Sequence, residues 1–281
     1  ERITQECSPA SVRSKTGACL AMIYQSMYFY NSHVFLNSSE ELFADIQRIY
    51  LPYRAFMYEN VVNSILNTKT LYGDVLKIIA VLPYVNKGQE KNTALDILNE
   101  SESYIDGFMI ENIGDLLILK KQFGDKLESK ILCGDYSLNV LNRFTADYWA
   151  KNHLDSIALL PELSENGLIQ LANSLKGIIP EIICYGKVIV MRSEHCFISD
   201  TDSFHCGKCG KDGYAGYTLQ DNSNNRFSII GCPDDCRNIL LSPSEVLFDE
   251  NTLKKQLFND CFLRYNIFNY DDLRQKGWLD L

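Results

Sequence analysis

The chain has 281 residues, 46% of them hydrophobic, enough to fill the core of one large globular domain or two small ones. Its 36 acidic and 27 basic residues leave a net charge of −9, and no Lys/Arg run exceeds two residues, which argues against a fold wrapped in nucleic acid. No apolar stretch reaches the ~18 residues of a membrane span, and the first residues lack a basic-then-apolar leader, so the expected compartment is the cytoplasm.

Ten cysteines would suggest a disulfide framework only in a chain too short to build a core. Cys133 and Cys184 sit in apolar runs where a free thiol acts as a small hydrophobe, so a reducing compartment fits better. The sequence does not start with Met, and residue 1 is expected to lie inside a longer natural chain or a paired-domain protein.

In chain order, Cys19 to Tyr30 reads as a strand and Ser38 to Ile46 as a helix, the latter begun by hydroxyl caps and two acidic residues. Strand-like apolar runs follow at Arg48 to Tyr53, Leu76 to Val85, Tyr104 to Ile110, Lys130 to Cys133, Ser156 to Leu160 and Glu181 to Met191. Helical patterns lie between them: Leu138, Leu141, Thr145, Tyr148 and Trp149 share one face, as do Leu168, Leu171, Ala172 and Leu175. Ser164 with Glu165 is a good start for the second of these helices. Strands separated by single helices are parallel and covered on both faces, so the class is α/β. With close to seven strands, the expected architecture is a TIM-like (β/α) barrel, possibly incomplete.

The expected division is a barrel-like domain over 1–191, a cysteine-rich metal-binding module over 192–240, and a segment over 241–281 that packs back on the barrel. Within that last segment, Asn251 to Phe258 reads as a helix and Cys261 to Phe268 as a strand.

Cys196, Cys206, Cys209 and Cys236 carry the strongest chemical signal, with Cys232 as a spare. Grouped thiolates repel one another unless a cation holds them, and the Cys206-Gly-Lys-Cys209 turn lets two sulfurs approach one ion. An iron-sulfur cluster and a zinc ion are both open readings, and His205 could replace one thiolate. A second set of candidates follows the barrel strands, where such barrels place their chemistry. These are Glu111 and Asn112, then Asp135, Asn139 and Asn142, then Glu162, and finally Tyr185, Arg192, Glu194 and His195. Asn112 and Asp135 could equally cap the helices that follow them. The planar fork of Arg192 suits a carboxylate on a small donor, with Asp135, Asn139 and Glu162 positioning the substrate. The sequence contains no phosphate-binding glycine loop, HExxH or GxSxG motif.

Several segments in order carry a resemblance: Cys133-Gly-Asp-Tyr-Ser-Leu-Asn-Val-Leu-Asn142, Leu160-Pro-Glu-Leu163, Tyr185 through Cys196, and Cys236-Arg-Asn-Ile-Leu-Leu-Ser. Together they resemble the collagenase-like peptidase U32 family over roughly residues 46 to 270. The resemblance implies either a peptidase or an oxygen-independent hydroxylase acting on an RNA base or a small aromatic substrate. In the second case it implies a 4Fe-4S cluster on Cys196, Cys206, Cys209 and Cys236 and a prephenate-like carboxylate as oxygen donor. The chain departs from the usual His-Gly-x-x-Cys form of the family motif, having Tyr185-Gly186 and then Glu194-His195-Cys196. The resemblance also leaves room for a non-catalytic zinc domain of a larger protein.

Overall fold

The structure, a computed structural model, describes residues 12–13, 19–38, 40–85, 88–199, 207–210, 213–214, 216–232 and 236–278. Seven parallel strands follow one another: β1 (Ile23–Phe29), β2 (Arg48–Pro52), β3 (Lys77–Val81), β4 (Gly107–Ile110), β5 (Ile131–Gly134), β6 (Ser156–Ala158) and β7 (Ile179–Gly186). Between them run α1 (Ser32–Leu36), α2 (Glu59–Tyr72), α3 (Gly88–Glu100), α4 (Ile113–Phe123), α5 (Arg143–Lys151) and α6 (Glu165–Ser174). Side-chain caps fix four of these starts: Asn31 accepts from the His33 amide, Asn112 closes a capping box with Asp115, Asn142 accepts from the Thr145 amide, and Ser164 accepts from the Gly167 amide.

After β7 the chain leaves the barrel. It forms a separate antiparallel sheet from β8 (Ile189–Ser193), β9 (Thr218–Gln220), β10 (Arg226–Cys232) and β11 (Arg237–Leu241), in the order β8-β11-β10-β9. It then returns through β12 (Val246–Leu247) and α7 (Glu250–Gln256) to β13 (Cys261–Ile267), and α8 (Tyr270–Gln275) follows. Strand β13 pairs in parallel with β7 on one side and with β1 on the other, and β6 pairs with β7, so eight parallel strands close into a barrel.

The closure redraws the expected boundaries. The barrel does not end at residue 191, because Cys261–Ile267 supplies its eighth strand, and the cysteine-rich stretch is an insertion after the seventh. The run expected to be one strand from Glu181 to Met191 is two strands in different sheets, broken at Gly186. Gly186 has φ +97°, and a Cβ there would lie 1.9 Å from the carbonyl oxygen of Asn266, so only glycine lets the chain turn out at this point. The helix expected over Ser38 to Ile46 is a 3-10 turn at Glu40–Phe43, preceded by α1, whose cap Asn31 accepts from the His33 amide.

Apolar side chains fill the space between strands and helices, while the barrel interior is charged. Arg264 on β13 is fully buried; its Nη1 donates to Asp135 at 2.8 Å and to Glu181 at 3.4 Å, and its Nε donates to Asn266 at 2.9 Å. Glu181 on β7 also accepts from the Ser26 hydroxyl at 2.6 Å and the Tyr50 hydroxyl at 2.9 Å. Arg48 on β2 lies over the Phe262 ring at 3.9 Å and donates to the Ser156 hydroxyl. Charges this deep are tolerated because each has a partner of opposite sign or a hydrogen bond.

Two substitutions test this construction. Gly186→Ala is expected to lower unfolding free energy by about 2–3 kcal/mol, since the residue must both hold a positive φ and avoid a backbone atom. Arg264→Met removes the cation shared by Asp135 and Glu181 and is expected to cost about 3–5 kcal/mol, read by urea unfolding at neutral pH. A loss below 1 kcal/mol in the second case would show that the two carboxyls do not depend on Arg264.

Candidate functional site at the barrel mouth

The carboxyl ends of the barrel strands open toward the inserted sheet. The two meet in one buried cluster that joins Tyr28, Tyr30, Ile79 and Met109 of the barrel with Ile230 and Leu241 of the insertion. The turn between β7 and β8 is held over the mouth through the Lys187 carbonyl, which accepts from Asn266 Nδ2 at 2.8 Å and from the Tyr30 hydroxyl at 3.2 Å. The Ile189 amide donates to the Tyr136 hydroxyl at 2.7 Å. The first strand of the insertion is thereby fixed relative to the ends of β1, β5 and β13.

A cavity of about 790 Å³, its open mouth included, remains between the two parts. Its wall contains six tyrosines (Tyr28, Tyr30, Tyr53, Tyr58, Tyr84 and Tyr214), two prolines and several aliphatic side chains. Its polar groups include Arg54 from the turn after β2, Glu111 from the end of β4 and Cys232 from the end of β10. An apolar concavity with a few convergent polar groups at this end of a barrel is where catalysis is expected.

Glu111 is the most perturbed acid at the mouth. It is buried, ion-paired with Arg192 at 3.0 Å, and hydrogen-bonded to Asp135. Burial pushes its carboxyl up to about 8; the Arg192 charge opposes this, while Asp135 and Asp115 reinforce it. Two carboxyls joined by a hydrogen bond share a proton between them. Glu111 is protonated at neutral pH, and Asp135 beside it is held at 2.8 Å by Arg264. The sequence Glu181, Arg264, Asp135, Glu111, Arg192 therefore forms a continuous polar chain from the barrel interior to the insertion.

The candidates read from the sequence divide accordingly. Asp135 and Arg192 meet at this carboxyl pair. Asp135 makes no side-chain capping bond and serves Arg264 instead. Arg192 spends its fork on Glu111 and its face on the Tyr84 ring at 3.9 Å, and it does not line the cavity. Asn139 is exposed in the left-handed region at φ 56°, where it ends the 3-10 turn Tyr136–Leu138, a position asparagine tolerates. Glu162 is exposed. His195 is exposed, with its ring edge-on to Phe197 at 5.7 Å. Asn112 and Asn142 cap helices. None of Asn139, Glu162 and His195 lines the cavity.

Charged residues inside apolar strands were the signal passed over. Arg48, Glu181 and Arg264 each interrupt a run of buried aliphatics, where a parallel sheet accepts charge only if it is paired. Arg54 lies just past the end of a strand but carried no motif. Cys133 and Cys184 behave as the buried hydrophobes expected, and burial pushes the Cys184 thiol up to about 12.

The cysteine set is only partly described. Cys206 lies outside the described residues. Cys196 and Cys209 belong to one small cluster with Ile198, Ile229 and Leu240; Cys236 is half-buried at φ 52°; Cys232 faces the cavity. A soft thiolate set suits iron-sulfur or zinc chemistry. Among the described residues, however, no group of three or more His, Cys, Asp or Glu side chains is placed to hold a metal ion. The described thiols therefore do not by themselves make a metal centre. No described helix is long and apolar enough to cross a membrane.

No protein-family model matches the chain, and no curated protein matches it. Solved structures to which it is similar include an enolase protein from the environmental genome shotgun sequencing of the Sargasso Sea, with 15% identity and a TM-score of 0.37 over 57% of this chain and 47% of that one. An aldolase is similar at 12% identity and a TM-score of 0.36, over 56% of this chain and 77% of that one. An uncharacterized B. cereus protein is similar at 10% identity and a TM-score of 0.42, over 92% of this chain and 66% of that one. The match spans about half of the enolase chain (47%), and at these identities none of the three assigns a reaction to this protein.

Proposed function

We propose that the protein is a barrel enzyme that binds a small carboxylate-bearing molecule at the mouth and moves a proton to or from it through Glu111. The observation that carries this reading is the Glu111–Asp135 pair, buried beneath a cavity and bracketed by Arg192 and Arg264. A carboxyl poised near neutral pH can give a proton to a substrate atom and take one back, which an ordinary exposed carboxylate cannot. Arg192 stabilises the anion left on Glu111 once the proton has gone, and Arg264 holds the Asp135 carboxyl in position beside it. The tyrosine wall gives the exchange a mostly apolar surround.

The finer proposal is an oxygen-independent hydroxylation of the U32 type, with a 4Fe-4S cluster on Cys196, Cys206, Cys209 and Cys236. It is supported by the cysteine spacing and by the sharing of one small cluster by Cys196 and Cys209 within the insertion. Such a cluster would supply electron transfer when bound; the residues named above would bind, orient and protonate. Between the acceptors the resemblance implies, a small aromatic compound is favoured over an RNA base, since a net charge of −9 weighs against a polyanion. A structural zinc ion on the same thiols is the second reading, favoured by the small apolar cluster around Cys196 and Cys209.

The titration of Glu111 tests the main reading. Between about 4.5, the ordinary glutamate value, and about 8, the folded protein holds a proton that the unfolded chain has released. Stability contributed by Glu111 is therefore full at acid pH and is lost as pH rises toward 8. Asp115, pushed up to about 7 by burial, acts in the same direction in every variant. Glu111→Gln is expected to flatten the pH dependence of urea unfolding between pH 5 and 8 relative to the unmodified protein. It should also remove a protonated-carboxyl band from the infrared difference spectrum at neutral pH. An unchanged band would sink the assignment.

Metal content tests the finer proposal. Protein purified without oxygen is expected to be brown and to lose its visible absorbance in Cys209→Ala. Colourless protein holding about one zinc per chain would support the structural reading, and colourless, metal-free protein would overturn both.

A further inference from the structure

The proton-transfer reading leaves open which substrate atom Glu111 serves and what else holds that atom. Tyr28, Tyr30, Tyr50 and Tyr136 reach into the barrel from different strand ends. Three of their hydroxyls are engaged within the fold: Tyr30 donates to the Lys187 carbonyl, Tyr50 donates to Glu181, and Tyr136 accepts from the Ile189 amide. Among the described residues no hydrogen bond takes up the Tyr28 hydroxyl, and Tyr28 lines the cavity together with Glu111.

Strand alternation places it there. On β1, Met27 and Phe29 pack into the layer between strands and helices, while Ser26 reaches Glu181 inside the barrel and Tyr28 lies on the same side, one step nearer the mouth. Strands β1 and β4 are separated by β2 and β3 in the ring of eight, so Tyr28 and Glu111 reach inward from well-separated sides of the mouth. The Tyr28 ring is held on both flanks: its centre lies 5.1 Å from the Arg264 guanidinium carbon and 4.6 Å from the centre of the Tyr30 ring. A cation against the ring favours negative charge on it, which makes the hydroxyl a better donor.

We propose that Tyr28 is a catalytic residue of the mouth, its hydroxyl and the Glu111 carboxyl converging on one substrate oxygen, the enolate oxygen of a small carbonyl compound. The inference rests on Glu111 as the proton carrier and deepens that reading by naming the atom it serves. Burial pushes the Tyr28 phenol well above the ordinary tyrosine value, and the Glu111 and Asp135 carboxyls add to this, so Tyr28 keeps its proton and acts as a donor. A protonated carboxyl and a phenol, both fixed before the reaction in mostly apolar surroundings, bond more strongly as negative charge gathers on the oxygen between them. Neutral donors suit an oxygen whose charge is spread into a carbon framework; a hydrated inorganic anion would lose more water than two donors replace. The framework itself fits against the aromatic and aliphatic wall.

Pentafluorophenolate, a stable mimic of an enolate, and pentafluorobenzene, the same ring without the oxygen, test the proposal by calorimetric and fluorine-NMR titration of the full chain at neutral pH. The phenolate is expected to bind, and pentafluorobenzene to bind at least about tenfold more weakly. Tyr28→Phe removes one oxygen atom and keeps the ring beside Arg264. It should weaken the phenolate by about ten- to hundredfold while leaving pentafluorobenzene within about threefold. Glu111→Leu should also weaken the phenolate by about tenfold or more, and Glu111→Gln, which keeps a donor in place, should recover most of that loss. Tyr148→Phe, at an exposed tyrosine of α5 outside the cavity lining, should change nothing. Should Tyr28→Phe fail to fold, 3-fluorotyrosine at position 28 keeps ring and hydroxyl but is the stronger acid, and is expected to tighten the phenolate by about two- to threefold; unchanged affinity there would count against the pair. Absence of phenolate binding, equal binding of the two probes, or full affinity in Tyr28→Phe would each overturn the assignment. Those results leave the infrared band of Glu111 as it is, whereas an unchanged band in Glu111→Gln removes the proton itself, so the two readings fail separately.

Discussion

Arg264 inside the barrel is the interaction on which the rest of the structure depends. One guanidinium, fully buried on the closing strand, joins Asp135, just past the end of β5, and Glu181 of β7, and Glu181 in turn gathers hydroxyls from β1 and β2. Four elements on different sides of the barrel are thus tied through a single side chain. A hydrocarbon core of the same volume would hold the strands at least as firmly. What the ionic core adds is position: Arg264 holds the Asp135 carboxyl where it meets the buried Glu111.

The polar chain explains why the insertion belongs where it is. An acid whose proton is held by burial needs a roof, and β8 to β11 supply one over the carboxyl ends of the strands. The same insertion brings Arg192 to Glu111 and Cys232 to Arg54. Barrel and insertion therefore each contribute half of two charged contacts, and the cavity exists only where both are present.

The architecture was largely legible in the sequence because parallel strands buried on both faces read as apolar runs of fixed length, and seven of the eight were visible in that way up to Met191. The eighth was visible too, as Cys261 to Phe268, but its place was hidden by the cysteine-rich stretch before it. Gly186 decided the outcome, since a single residue with positive φ turned one long apolar run into two strands of separate sheets. At the site, Asp135 was found because it follows β5, and Arg192 because it follows the apolar run read as ending at Met191, though it lies inside β8; Asn139 and Glu162 follow strands equally and serve a turn and the surface. Position after a strand says that a residue is near the mouth; the direction of its side chain depends on local backbone geometry that composition does not encode. Arg264 and Glu181 were missed for the opposite reason, since they lie within strands whose apolar neighbours dominated the pattern.

The late arrival of the eighth strand bears on how the molecule assembles. Cys261 pairs with Ile23, a separation of 238 positions, and the backbone of Met22 is likewise bonded to the Asp260 carboxylate. Contacts this distant along the chain are slow to form, because loop entropy must be overcome before they contribute anything. During synthesis the seven earlier strands emerge as an open, curved sheet whose two edges wait unpaired, with Glu181 and Asp135 still lacking their counter-ion. Ring closure and the arrival of Arg264 between the two carboxyls then occur together when β13 pairs with β1 and β7.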